Sequence, residues 1–271
     1  MYPYELFWDV TLYDIMVAIG VIAAFAVFLF YAYKVKLPKQ IQVLVLLSAL
    51  VGVVLGFAAA GLVQSIYFWI ENGAFEWRGM TFYGGLLGGA AFFLGAYFLG
   101  GYLMFRKTST PNLHKEYALR TFSIAVCSIT IAHAIGRIGC LTAGCCHGYT
   151  FEDKRWYTLP ILHISTSGEL LYTDYAVPVP LFEMLFLLGL FALFSWRALT
   201  SKEDALPLYM IIYGVWRFCI EYARADDRGE TFIKFLTPSQ LTALLMILGG
   251  IALLVIYYKV IKKPKQKDES V

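Results

Sequence analysis

The sequence predicts an all-α polytopic integral membrane protein of seven transmembrane helices, with its N-terminus outside and its C-terminus in the cytoplasm. Of the 271 residues, 59% are apolar and 15% are charged, whereas a soluble domain carries about 25% charged residues. The apolar residues fall in runs of roughly 17 to 25, the length that a helix needs to cross a bilayer core. The basic residues are shared unequally between the loops on the two predicted sides. These observations exclude an ordinary soluble domain, a disordered chain and a fibrous repeat.

Seven apolar runs are expected to form the spans of a single membrane domain over residues 1–271. They lie at 13–33, 42–66, 80–103, 118–139, 181–199, 206–223 and 237–258. The second and third runs are rich in glycine, and small residues allow helix backbones to approach closely in a bilayer. Segment 140–180, between the fourth and fifth spans, is too long for a turn and predicts a small extracytoplasmic cap.

The distribution of Lys and Arg predicts the orientation. Fourteen of them fall in the segments on one predicted side and six on the other, and the richer side is cytoplasmic by the positive-inside rule. The first dozen residues contain no Lys or Arg, so they lack the basic start of a cleaved signal peptide and we expect the first span to remain. The basic tail from Lys259 to Lys267 indicates a stop-transfer flank, with phospholipid head-group contact as the alternative. It is no evidence for nucleic-acid binding.

Several ionisable residues fall at one depth, towards the outer ends of different predicted spans. They are Arg137, Glu183, Arg217 and Glu221. An ionisable residue inside a span costs roughly 2.5–3.5 kcal/mol on insertion scales, so it is a functional-site hypothesis by default. On the sixth span, the spacing of Tyr213, Arg217, Glu221 and Arg224 places all four on one helical face. The sequence therefore predicts a polar site in the outer leaflet.

Two interpretations of these charges are open. Arg217 and Glu221 alone would suit an ion pair that holds helices together. Two arginines with carboxylates suit a phosphate-bearing ligand, because Arg is the preferred bidentate partner of phosphate. The carboxylates would then orient the arginines or accept a proton. The chain contains no nucleotide-binding or hydrolase motif, so the second interpretation points to a lipid head group.

The segment HAIGRIGCLTAGCCHG at 133–148 predicts a cavity wall around Arg137. Its glycines permit a tight, irregular backbone, which survives at membrane depth only where protein buries it or water lines it. His133 lies one helical turn before Arg137, so the two share a face. His133 is either a hydrogen-bonded structural residue or a base that contacts the ligand.

Three cysteines in this segment invite a metal interpretation. Cys140, Cys145 and Cys146, with His147, have the spacing C-x4-C-C-H, which differs from the paired C-x2-C of common zinc sites. Adjacent cysteines also chelate one ion poorly, so we expect no metal ion. Small buried thiols are the commoner explanation, and a disulfide from Cys140 to Cys145 or Cys146 is the alternative.

At these residues the chain resembles the prolipoprotein diacylglyceryl transferase family, over nearly its whole length. The resemblance lies in RGMTFYGGLLGG at 78–89, GRIGC at 136–140 and YGVWRFCIEYAR at 213–224. It implies a seven-span enzyme of the bacterial inner membrane with its active site towards the outer leaflet. Its partners would be phosphatidylglycerol and preprolipoprotein signal peptides. The diacylglyceryl group would pass to the lipobox cysteine thiol, forming a thioether and releasing glycerol phosphate without a cofactor.

The resemblance also implies roles for individual residues. Arg137 matches the arginine expected to hold the donor phosphate, Arg217 and Glu221 match a second essential arginine and its carboxylate, and Glu183 ends the segment VPVPLFE at 177–183. The predicted catalytic residues are Arg137, Arg217, Glu221, Glu183, Tyr83 and His133. The predicted substrate-binding residues are Tyr13, Gly84, Gly85, Gly136, Gly139, Cys140, Gly148, Tyr213 and Arg224.

This chain departs from the family pattern at three positions. Tyr83 stands where the family usually has histidine, Cys140 where it usually has asparagine, and Val177 where it usually has histidine. The base is therefore open between Tyr83, His133 and the carboxylates. Two other functions are weighed as alternatives: a paralogue that uses the same phospholipid donor with another acceptor, and a non-catalytic lipid-binding membrane protein.

Overall fold

The protein is mostly helical and polytopic. The computed structural model describes residues 5–8, 10–77, 79–164, 169–200, 202–225 and 235–261. Its helices are α1 (Leu12–Lys34), α2 (Lys39–Asn72), α3 (Phe82–Phe105), α4 (Leu113–Glu116), α5 (Ala118–Ala143), α6 (Val179–Leu199), α7 (Ala205–Ile220) and α8 (Pro238–Ile256). A 3₁₀ turn at Glu221–Ala223 follows α7, and a π turn at Tyr257–Ile261 follows α8.

Six helices in the described ranges are long and apolar enough to cross a membrane. They are α1, α2, α3, α5, α6 and α8. The chain is therefore a polytopic membrane protein, as predicted. The sixth predicted span, 206–223, is the one that does not form a helix of membrane-spanning length. Its α-helix ends at Ile220, where the backbone tightens into the 3₁₀ turn, so α7 has only 16 residues.

The ends of the other helices follow local signals in the sequence. Gly73, with a φ of 73°, ends α2 in the left-handed conformation, which glycine adopts without steric cost. The Thr81 side chain accepts a hydrogen bond from the Gly84 amide at the start of α3. Thr237 and Gln240 form a capping box at the start of α8, which satisfies two amides that the first turn leaves unpaired.

The segment predicted as a cap contains β-structure. Strands β3 (Thr150–Phe151), β4 (Leu159–Ile164) and β5 (Leu170–Ala176) form an antiparallel sheet in the order β3-β5-β4. A second small sheet pairs β1 (Glu5–Phe7) with β2 (Val10–Thr11). The all-α prediction is correct for the spans and wrong here, because antiparallel pairing satisfies the backbone of connections that are too irregular for a helix.

The chain forms two compact units. The first unit draws on Met1–Tyr31 and Phe122–Val271, and the second unit on Ala32–Thr121. In the second unit, α2 and α3 touch backbone to backbone: a Cβ added at Gly56 would stand 3.0 Å from the Gly89 Cα. In the first unit, α7 and α8 meet equally closely, since a Cβ at Gly250 would stand 2.8 Å from the Pro207 carbonyl oxygen. The predicted single domain over 1–271 stays a prediction.

A buried carboxylate joins the far ends of α6, α7 and α8. Asp204 precedes α7 and is 3% exposed. It accepts hydrogen bonds from Arg197 Nε at 3.2 Å and from the Tyr258 hydroxyl at 2.9 Å. Burial alone would raise the pKa of Asp204, but these hydrogen bonds and the Arg197 charge hold it below its ordinary value. These contacts of Asp204 hold the C-terminal ends of α6 and α8 against the N-terminal end of α7. The candidate site lies at the opposite ends of the same three helices.

Candidate active site

One buried carboxylate connects three helices of the first unit. Glu183 on α6 is fully buried. Its Oε1 atom lies 3.0 Å from Arg137 Nη2 on α5 and accepts a hydrogen bond of 2.7 Å from the Tyr213 hydroxyl on α7. His133 Nε2, one turn from Arg137, lies 3.7 Å from the same oxygen. The structure thus brings together four of the residues that the sequence singled out.

The start of α6 places Glu183 at this point. Pro178 and Pro180 flank the first helical residue, and proline suits a first turn because its missing N–H needs no partner there. Just before them, Val177 accepts a hydrogen bond of 2.9 Å from the Gly148 amide. The end of strand β5 therefore lies against the segment that follows α5. The next helix, α6, begins there and places Glu183 in the interior.

A second ion pair lies where α7 ends and α8 begins. Arg217 Nη2 lies 2.8 Å from Glu221 Oε2 and 2.8 Å from the Ser239 hydroxyl oxygen. The Thr237 hydroxyl donates to Glu221 Oε1 at 2.9 Å. Arg217 also interacts electrostatically with Glu183. The two ion pairs therefore belong to one site.

The sequence interpretation missed Thr237, Ser239 and Tyr209. Thr237 and Ser239 fix the Arg217–Glu221 pair from the first turn of α8, and Tyr209 stacks on Tyr213 with ring centroids 5.5 Å apart. A signal for the first two is present in the sequence. The segment TPSQ at 237–240 has the spacing of a capping box, which predicts a helix N-terminus next to the polar face of α7.

Two guanidinium groups each keep a buried donor that the described residues do not satisfy. Arg137 Nε and Arg217 Nη1 are buried and have no hydrogen-bond partner among those residues, and the same holds for Glu183 Oε2. Such groups are costly to bury unpaired. With Arg224, which is 7% exposed, the site has three guanidinium groups against two carboxylates. The excess positive charge and the spare donors suit a singly charged oxyanion.

Two of the predicted glycines mark close backbone approaches around this site. A Cβ at Gly139 would stand 3.4 Å from the Tyr13 carbonyl oxygen, and one at Gly148 would stand 2.3 Å from the Ala223 carbonyl oxygen. Gly148 also pairs with Arg224 through an isolated antiparallel bridge. At Gly136 a Cβ would meet no described atom within 4 Å. Tyr13 and Gly148 thus flank the charged residues.

The three cysteines of this segment converge. The Cys140, Cys145 and Cys146 sulfur atoms lie within 4.8 Å of one another, and all three are free thiols. Gly144 and Cys146 are left-handed, with φ values of 69° and 60°, and this backbone brings the adjacent Cys145 and Cys146 side chains to Cys140. The expectation of no metal ion stays a prediction. The Cys140 and Cys145 thiols and the Arg224 guanidinium lower the pKa of Cys146.

The remaining predicted residues belong to the second unit. Gly84 and Gly85 face α2, where added Cβ atoms would stand 2.9 Å from Val63 Cβ and 3.3 Å from Ala60 Cβ. Both glycines thus have a packing reason to be small. Tyr83 lies on α3, and its side chain is outside the described part of the chain. The roles assigned to these three residues stay predictions.

Fold and site define a polytopic membrane protein with a cluster of arginines and buried carboxylates drawn from several helices. Residues 4–256 match the prolipoprotein diacylglyceryl transferase family, and the chain belongs to that family. It is 28% identical to the phosphatidylglycerol–prolipoprotein diacylglyceryl transferase of Dehalococcoides mccartyi, over 95% of this chain and 92% of the relative. It is 26% identical to that of Staphylococcus carnosus, over 98% and 91%. The match to transferase 2 of Clostridium perfringens is 32% identical over 65% of this chain and spans 61% of the relative.

Replacing Glu183 by Gln tests the buried ion pair. We expect the change to lower the free energy of unfolding by about 3 kcal/mol, because it leaves the Arg137 charge buried without its partner. Asp174→Asn is the matched control, since Asp174 pairs with His163 at about one-third exposure and such pairs contribute under about 1 kcal/mol. Denaturant unfolding in detergent measures both. Equal losses would contradict a special role for the Glu183 pair.

Proposed function

We propose that this chain transfers the diacylglyceryl group of phosphatidylglycerol to the lipobox cysteine thiol of preprolipoproteins. The product is a thioether, and glycerol phosphate leaves. The observation that carries this proposal is a pair of arginines, Arg137 and Arg217, each held by a carboxylate and each with a buried donor that no described residue satisfies. The relatives described above are named phosphatidylglycerol–prolipoprotein diacylglyceryl transferases, which supports the same donor and acceptor.

The two arginines act on the donor, phosphatidylglycerol. Arg137 and Arg217 bind the phosphate of phosphatidylglycerol and stabilise the negative charge that grows on the leaving group. Glu183 and Glu221 hold these guanidinium groups in position, each by an ion pair of 3.0 Å or less. Tyr213, hydrogen-bonded to Glu183, fixes that carboxylate. Positioning before the reaction is what makes such a site effective, since no reorganisation is needed in the transition state.

The acceptor half needs a base for the thiol proton. Among the candidates from the sequence, we assign this role to His133. Its side chain is 26% exposed, so a ligand can reach it. Its Nε2 atom lies 3.7 Å from Glu183 Oε1, so the candidate base is a neighbour of the carboxylate that holds Arg137. The predicted cap, residues 140–180, continues the chain from the end of α5. We expect it to control the entry of the signal peptide.

We further infer that the chain crosses the bacterial inner membrane seven times with this site towards the outer leaflet. Six crossings are the six long helices, and the one added to them, sixth in chain order, is α7 together with its 3₁₀ turn. The 16 residues of α7 span roughly 24 Å at 1.5 Å per residue, and the three residues of the turn add roughly 6 Å. The sum matches a bilayer core of roughly 30 Å.

Replacing Arg137 by Lys tests the donor half. Lys keeps the charge but loses the planar pair of donors, and we expect transfer to fall about 100-fold or more, as for the loss of one charge-stabilising donor. The measurement follows labelled glycerol from phosphatidylglycerol into a lipobox peptide. Arg106→Lys, at an exposed arginine after α3, is the control and should keep full activity.

The same assay separates the alternatives. Wild-type protein that turns over phosphatidylglycerol but never modifies the peptide would favour a paralogue with another acceptor. Folded wild-type protein that binds phosphatidylglycerol and turns none over would favour a lipid-binding protein. Full transfer by Arg137→Lys would contradict the phosphate role of Arg137.

Alkaline phosphatase fusions test the orientation, because this reporter is active only outside the cytoplasm. We expect a fusion after Lys107 to be inactive and a fusion after Trp156 to be active, since the two positions lie on either side of α5. The opposite pair of results would reverse the proposed orientation and place the site towards the inner leaflet.

A further inference from the structure

The three thiols form a ligand set for a soft metal ion. Sulfur atoms around one zinc ion stand roughly 3.8 Å apart, given a Zn–S distance of about 2.3 Å and tetrahedral geometry. The Cys140, Cys145 and Cys146 sulfurs lie within 4.8 Å of one another. Rotation of the side chains by about 1 Å at the sulfur therefore closes the set around an ion.

The backbone after α5 is shaped to produce this convergence. Gly144 ends the helix in a left-handed conformation, and the Cys145 amide returns to the Cys140 carbonyl oxygen at 3.2 Å. Cys146 is also left-handed, with a φ of 60°, a conformation that costs a residue with a side chain roughly 1 kcal/mol or more. The strain places two adjacent side chains on one side of the chain, and all three thiols face one another.

The surroundings compensate the charge of such a site. Three thiolates and a divalent ion carry one net negative charge. Arg137 Nη1 lies 3.8 Å from the Cys140 sulfur, and Arg224 hydrogen-bonds to the Cys146 side chain. Outer-shell partners of this kind orient and stabilise metal ligands.

The set leaves one coordination position open. No histidine or carboxylate joins the three sulfurs among the described residues. Cys140 is buried, Cys146 is half-buried and Cys145 is exposed, so the cluster is accessible on one side. Three protein ligands with an open fourth position are the pattern of catalytic rather than structural zinc sites.

We propose that Cys140, Cys145 and Cys146 bind a thiophilic divalent cation, Zn²⁺, and that the acceptor thiol takes its fourth position. This inference rests on the proposed function, because it assigns the acceptor subsite of that reaction. It revises the expectation of no metal. Cys140 and Arg137 lie one turn apart on α5 and in contact, so a thiol at the cluster and a phosphate on Arg137 are neighbours.

The step balances without a redox partner. A coordinating thiol is deprotonated by the ion, and its proton passes to His133, which shares the α5 face of Arg137 and Cys140. The sulfur attacks the glycerol carbon of phosphatidylglycerol and a carbon–sulfur bond forms. The carbon–oxygen bond to the phosphate breaks, and its electron pair stays on the phosphate oxygen at the arginines. The neutral thioether is a weaker ligand and leaves the ion.

Cadmium binding to the purified full-length chain tests the metal site. The protein is reduced, stripped with a chelator and titrated with Cd²⁺, whose thiolate bonds absorb in the near ultraviolet. We expect one ion per chain. Cys145→Ser and Cys146→Ser each remove a ligand, so each should weaken binding by more than the roughly 10-fold to 100-fold typical of outer-shell changes. Cys219→Ser, at an exposed thiol on α7, should bind as the wild type does. Unchanged binding in both cluster variants would overturn the site.

A lipobox peptide tests the open position. Adding the cysteine peptide to the cadmium-loaded protein should raise the thiolate absorption, and a serine peptide should not. Equal responses to the two peptides would overturn the fourth-ligand assignment, as would full transfer activity in the stripped enzyme. Reduced protein that binds no Cd²⁺ and re-forms a disulfide from Cys140 would overturn the metal site. Protein that binds the ion and the peptide thiol but transfers no lipid would support this site and contradict the proposed function.

Discussion

The Glu183 carboxylate is the interaction on which the rest of the site depends. A single buried oxygen accepts the Tyr213 hydroxyl and faces the Arg137 guanidinium, so one side chain ties α6 to α5 and α7. A buried charge is tolerated only with such partners. Arg137 uses its Nη2 atom for the ion pair with Glu183, and its Nε atom has no hydrogen-bond partner among the described residues. Under the proposed function, the ion pair that stabilises the fold also orients the Arg137 guanidinium towards the donor phosphate.

The turn after α5 is the second constraint, and it links the charged site to the cap. Within a few residues, the chain leaves the helix at Gly144, gathers three thiols and pairs Gly148 with Arg224. An added Cβ at Gly148 would collide with the Ala223 carbonyl oxygen, so the approach requires glycine. Because this contact holds the end of α7 against the start of the cap, Arg224 lies next to the segment of the thiols, and Arg137 contacts Cys140 from α5.

Much of this architecture could be predicted from the sequence, and the failures have physical causes. Apolar run length predicts the helices, and charge at one depth selects Arg137, Glu183, Arg217 and Glu221, because burying a charge in a membrane needs a reason. Helical periodicity predicts that the sixth span continues as an α-helix through Glu221, but a 3₁₀ turn replaces the helix there. The spacing of Cys140, Cys145 and Cys146 does not reveal that the three thiols converge, because the left-handed backbone at Gly144 and Cys146 brings them together. Gly84 and Gly85 have a packing reason to be glycine as well, since they lie close against α2, and the binding role that the family pattern implies for them stays a prediction.

The central claim is that Arg137 and Arg217 hold one phosphate between them. A double-mutant cycle on phosphatidylglycerol binding measures this most directly, with Arg137→Lys, Arg217→Lys and the double variant in detergent micelles. If both guanidinium groups bind the same anion, the second replacement costs much less after the first, and the coupling free energy exceeds about 1 kcal/mol. Losses that add to within about 0.5 kcal/mol would show that the two arginines act at separate places and would contradict the account.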